Sequence, residues 1–173
     1  HTTPVTVTLS GGSNSNNIFS LNTIQNCNIG IALIGFGASS PFTLADMNND
    51  VTGNTIINYG GATAATNPAA GVRTLNQYNI NVSNNVINSN NGGGVNHAST
   101  LRGIYLNTAT SANASILNNT VTVNSGATTS QLVGIENASG ATAASNTINI
   151  IGNHVVNCTY TTALTYASFF GIY

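Results

Sequence analysis

Only five of the 173 side chains carry a formal charge at neutral pH: Arg73, Arg102, Asp46, Asp50 and Glu136. Ionic or acid–base chemistry has to be built from these, from three histidines, two cysteines and six tyrosines. Four of these residues share a place in the sequence. Arg73, Tyr105, Glu136 and Tyr173, with Ala32, each stand two residues after the glycine of a recurring apolar-Gly-Ile/Val phrase. If the phrases stack, Arg73 lies beside Tyr105, and Glu136 lies between Tyr105 and Tyr173. Aromatic faces interleaved with hydrogen-bonding groups suit a sugar ring, so these four are the candidate ligand-binding residues. The plainer alternative is packing between rungs, in which an exposed Arg over a Tyr contributes about 0.5–1 kcal/mol with no ligand at all.

The remaining polar groups promise less. Asp46 and Asp50 flank Met47-Asn48-Asn49, and alternating oxygens can bind Ca²⁺. A full site needs six or more of them, however, and no fixed-spacing calcium loop is present. A solvated loop with an Asx bend is the expectation there, with Asp46 and Asp50 a weak metal candidate. His97 follows the Gly92-Gly93-Gly94 run and His154 sits among threonines, with no triad or metal-ligand spacing around either. General acid–base catalysis needs two groups converging on one bond, and Asp46/Asp50 is the only pair close in sequence. We therefore expect no catalytic residues, no metal and no cofactor. Arg102 occupies the place that other repeats give to Ile29, Ala70, Val133 and Phe170, a column expected to face inward, where a lone Arg is out of keeping and either bulges outward at the strand start or binds a carbonyl-rich bend.

The elements that position these residues are written in a second phrase: a hydrophobic residue, two spacers, Asn, one spacer, then Ile or Val. It occurs at Phe19/Asn22/Ile24, Val51/Asn54/Ile56, Val82/Asn85/Ile87, Ile116/Asn119/Val121 and Ile150/Asn153/Val155. The asparagines are 32, 31, 34 and 34 residues apart, the mark of a solenoid whose units are covered only by their neighbours. From asparagine to glycine the gap runs 8, 17, 18, 15 and 18 residues, so one connection varies on a constant frame. Before the asparagine stand Gly53, Asn84, Asn118 and Gly152, types that accept a left-handed backbone and mark a tight bend. Leu21 stands there in the first unit and suggests an irregular coil.

The segments are short, rich in Val, Ile and Thr, and alternate with period 2, as in Thr120-Val121-Thr122-Val123, which predicts strands. Parallel strands wound into coils make a β-helix, and right-handed crossovers are the default. The expected fold is thus all-β, a right-handed parallel β-helix solenoid of about five coils, roughly 24 Å tall at 4.8 Å per coil. The columns Ile31/Val72/Ile104/Ile135/Ile172 and Ile24/Ile56/Ile87/Val121/Val155 should face inward. Asn22, Asn54, Asn85, Asn119 and Asn153 should form a structural ladder, amide to amide or to backbone.

In this ladder and repeat, residues 17–173 resemble the parallel β-helix repeats of the pectate-lyase-like superfamily. The resemblance implies the fold; the architecture itself serves lyases, hydrolases, tailspikes and adhesins alike. Lyases of that kind use carboxylate-bound Ca²⁺ with a basic residue and the hydrolases an Asp cluster, for which this chain has few groups. The reading is a non-catalytic structural or adhesive segment of a secreted or cell-surface protein that contacts glycan. The alternatives are the scaffold of a polysaccharide lyase or glycoside hydrolase whose active coils are missing, or secreted cargo.

Composition sets the partners. With 3% charged residues the chain lacks a phosphate-binding footprint, which argues against nucleic acid, and no apolar run of eighteen residues predicts membrane insertion. Polysaccharide or another surface or filament protein remains, with an extracellular or cell-surface location. Residues 1–173 read as one domain, 1–16 a leading strand or edge and 17–173 the repeats; the start at His1 and the stop at Tyr173 suggest a fragment of a longer secreted protein. Cys27 and Cys158, each five residues after a ladder asparagine, should sit about 19 Å apart in coils one and five, too far for a disulfide, which needs about 7 Å. The outward column Thr23, Thr55, Val86, Thr120, His154 resembles an ice-binding threonine row but is broken twice. Five Asn-x-Ser/Thr sequons occur, at Asn81, Asn113, Asn118, Asn137 and Asn157.

Overall fold

A computed structural model describes residues 5–61, 68–90, 97, 99–109, 112–126, 129–140, 146–161 and 167–173. The Gly92–Gly94 run lies outside them. Three parallel sheets, each five strands deep, wrap one apolar core as a β-solenoid of about four turns. Five rungs per sheet are present, so the expectation of about five coils counted rungs where the path completes fewer full turns.

Sheet A stacks Ile18–Ser20, Asp50–Thr52, Ile80–Ser83, Ala114–Leu117 and Ile148–Ile151. Sheet B stacks Thr23–Cys27, Thr55–Tyr59, Val86–Asn88, Thr120–Thr122 and His154–Val155. Sheet C stacks Ile29–Ile34, Ala69–Leu75, Leu101–Ala109, Leu132–Ser139 and Phe169–Ile172. In the leading segment residues 5–9 form no strand, and one 3₁₀ turn, Ser10–Gly12, precedes the coils.

The bend between sheets A and B is where the repeat placed it. Leu21, Gly53, Asn84, Asn118 and Gly152 all take positive φ, from 55° to 67°. Leu21 does so at 57°, so the first coil keeps the shared geometry in spite of its residue type. The bend turns the next backbone N–H inward, and the ladder answers it. Asn54 Oδ1 accepts from both the N–H (3.0 Å) and the Nδ2 (2.9 Å) of Asn22. Asn85 does the same for Asn54, Asn119 for Asn85 and Asn153 for Asn119, all at 2.9–3.0 Å. Each Nδ2 also donates back to a carbonyl one coil earlier: Asn54 to Phe19, Asn85 to Val51, Asn119 to Val82 and Asn153 to Ile116. The three central amides are buried, yet each is satisfied, which is the condition for placing amides in an apolar interior.

The two predicted columns join Val51, Val82 and Ile116 of sheet A in the core, with Ile172, at 57%, the exposed member of its column. Val72, Ile104 and Ile135 from sheet C and Ile56, Ile87 and Val121 from sheet B are all fully or almost fully buried. The glycines between them set the distance of approach. A Cβ on Gly103 would overlap Val121 Cγ1 and come within 2.5 Å of the Gly134 carbonyl; one on Gly134 would lie 2.6 Å from Val155 Cγ1 and 2.5 Å from the Gly171 carbonyl. The glycine column therefore lets sheet C press its backbone against sheet B.

That close approach changes the strand's phase. Leu101 and Ile104 are both core residues although three apart, and the Cα pairing skips the glycine in every rung of sheet C. Alternation slips by one at the glycine. Arg102 takes the outward alternative and lies over the outward Tyr105 ring, while Ala70 and Val133 of the same column are fully buried. The Thr23/Thr55/Val86/Thr120/His154 column is in register as read. Both cysteines are free and half-buried against the core. Among the described residues no helix is long and apolar enough to cross a membrane.

Candidate functional site on the outer face of sheet C

The register brings the predicted strip together. Tyr105 pairs with Arg73 on one side and Glu136 on the other. Tyr173 follows Glu136, fixed by Asn137 N–H to Tyr173 O and Tyr173 N–H to Ile135 O, both 2.8 Å. Phe170 and Tyr173, also three apart across a glycine, meet with ring centroids 4.7 Å apart.

Its character departs from the expected open strip. Arg73 is 5% exposed and Glu136 9%, whereas Tyr173 is 66% exposed. The cation over Tyr105 is Arg102, its Cζ 4.2 Å from the ring centroid, and not Arg73. Arg102 also grips Glu136 through a fork, Nε to Oε2 at 2.5 Å and Nη2 to Oε1 at 3.4 Å. The Tyr105 hydroxyl donates to Asn107 Oδ1 at 2.7 Å. Arg102 thus uses the ring face and the carboxylate at once, a triad in which the planar guanidinium is held from two directions. Arg73 is the contrast: its Nε and Nη1 are buried and have no hydrogen-bond partner. Burial pushes its guanidinium down from the ordinary value; the neighbouring Tyr105 opposes this and Arg102 adds to it. Burial likewise pushes the Tyr105 hydroxyl up, with Arg102 and Arg73 pulling down and Glu136 pushing up.

The chain matches no protein-family model, no curated protein and no solved structure. What stands is the architecture, a parallel β-solenoid with stacked asparagines, and the site has to be argued from the chain's own residues.

The weak metal candidate is placed differently from the sequence reading. Asp46 is not in a solvated loop: it begins the short strand Asp46–Met47, pairs with Gln77 and is 8% exposed. Its carboxylate accepts from Asn14 N–H at 2.8 Å and lies 3.4 Å from Gln77 Nε2. Asn49 completes the cluster, donating to Gln77 Oε1 and Asn14 O, each at 2.9 Å, and accepting from Asn17. These groups border an open cleft of about 340 Å³ that also meets Ala32, Leu33 and Ile34. Asp50 is on sheet A between Ile18 and Asn81, on a different sheet from Asp46. Among the described residues no three His, Cys, Asp or Glu side chains gather.

Two features escaped the sequence reading. One is the pair of partners that Arg102 reaches from its outward position, the Tyr105 ring and the Glu136 carboxylate. The other is a second set of left-handed bends at Asn16, Asn48 and Asn79, whose amides link at 3.2 and 2.8 Å on the outside of the coil. The signal was present: each stands six residues before a ladder asparagine.

Proposed function

We propose that this protein is a non-catalytic, structural β-solenoid segment of a secreted or cell-surface protein, and that the outer face of sheet C makes adhesive contact with polysaccharide. One observation carries the reading: the ladder amides inside the coil are taken up by one another, while arginine, carboxylate and aromatic side chains gather on a single outer face. A frame registered by its own amides is free to present a flat sheet, and a sheet carrying rings and donors offers what a sugar needs. With five charged residues in 173, the chain's surface depends little on ionic contacts. The solvent-facing Tyr173, with Phe170 beside it, gives the face its most accessible ring.

A glycan array probed with the intact chain tests this. Binding is expected, and Tyr173→Ala with Tyr105→Ala should weaken it. Failure of the unsubstituted chain to retain any glycan removes the reading of glycan contact.

A further inference from the structure

The fold leaves one buried charge without an answer. Arg73 is 5% exposed, and its Nε and Nη1 lack hydrogen-bond partners. The chain's three carboxylates are accounted for elsewhere: Glu136 is held by the Arg102 fork, Asp46 accepts from Asn14 and Gln77, and Asp50 belongs to sheet A. Around Tyr105 there are two guanidiniums against one carboxylate, a local excess of positive charge in a chain of formal net charge −1. A buried cation with unused donors is strongly unfavourable unless an anion with acceptor oxygens meets it. On the neighbouring rung, opposite Arg73, stands Ala32, exposed and carrying only a methyl group, so the approach along that rung is not occupied by a long side chain.

We propose that Arg73 anchors an oxyanion-binding site, and that the group it takes is a single carboxylate or sulfate carried on a saccharide. The proposal rests on the glycan-contact reading and narrows it to acidic sugars. The Arg73 guanidinium offers N–H donors on both of its edges, Nε on one and Nη1 on the other, and an oxygen of either oxyanion can accept from them. One negative charge balances the local excess, whereas a phosphate monoester would bring nearly two. The saccharide ring then lies along sheet C toward Tyr105, whose upper face is already covered by Arg102. Specificity is therefore set by the anion at Arg73 more than by stacking on Tyr105.

Calorimetric titration of the intact chain with glucuronate, glucose 6-sulfate and glucose isolates the anion, because the three probes differ only at carbon 6. Both acids should bind, glucose at least about ten-fold more weakly, and Arg73→Gln should bring the acids to the level of glucose. In the unsubstituted protein the Arg73 Nε–H resonance should move with either acid and stay still with glucose, a readout that does not depend on how the variant folds. Equal binding of acids and glucose, an unmoved Nε–H resonance, or full acid binding by Arg73→Gln each overturns the site. If neutral glycans bind on the array while both acids fail, the oxyanion site falls and glycan contact stands. If the acids bind while no neutral glycan on the array is retained, the site stands and contact is confined to acidic sugars.

Discussion

Tyr59 shows how much a single side chain in this core decides. It is fully buried, packed among sheet B and core residues, and its hydroxyl has no hydrogen-bond partner. Burial pushes its pKa far above the ordinary 10.0, with Cys158 and Cys27 adding to the shift, and burial likewise raises both thiols above 9.0. Raised folded-state values mean that stability is held below the unfolded-state values and is lost as pH climbs through them toward the folded ones. An alkaline limb should therefore begin near pH 9, the ordinary thiol value, and steepen past 10, the ordinary tyrosine value. Tyr59→Phe removes the orphaned hydroxyl, so it should stabilise the chain by about 1 kcal/mol at neutral pH and flatten the limb above pH 10. Urea unfolding at two pH values checks both, and a loss of stability at neutral pH would show that the hydroxyl has a partner. At this scale the sequence was only partly legible. The separation of the cysteines followed from register alone, but the burial of Arg73 and the outward turn of Arg102 did not. The second depends on the slip at glycine, which a uniform period of two cannot represent.

At the scale of the element, the ladder and the glycine column are the two devices that align the coils. Asn85→Ala removes the acceptor for Asn54 N–H and Nδ2 and the donor to Val51 O, all in the interior. The cost should be about 3 kcal/mol or more, because buried donors are left open. Asn22→Ala, at the exposed end, loses only one donation to Asn54 and should cost less than about 1 kcal/mol. Equal costs in chemical denaturation would mean that burial of the ladder is not what gives it weight. Gly103→Ala should destabilise by about 1–3 kcal/mol through overlap with Val121, and Val121→Ala in the same chain should recover part of it. A double-mutant cycle with no coupling would contradict the close approach of the two sheets. The ladder was readable because asparagine is the residue that both donates and accepts while tolerating the bend. The outer row Asn16, Asn48, Asn79 was equally periodic but lay outside the apolar phrase used to find the repeat.

The whole molecule is a stack in which each coil is held by its neighbours, so its stability is approximately a sum of rungs and interfaces. Strand class and period were legible because each coil repeats the same choices of β-branched residue, bend and amide. The connections between sheets were not, since their lengths and compositions vary from coil to coil. Asp46 shows the consequence: its loop-like surroundings concealed a two-residue strand paired with Gln77. The central claim is that buried amides register the coils of one parallel solenoid, and native-state hydrogen exchange tests it most directly. The backbone N–H groups of Asn54, Asn85 and Asn119, each donated to the next amide in the ladder, should exchange only through global unfolding and rank among the slowest in the chain. Exchange of these three at the rate of exposed loop amides would contradict the account.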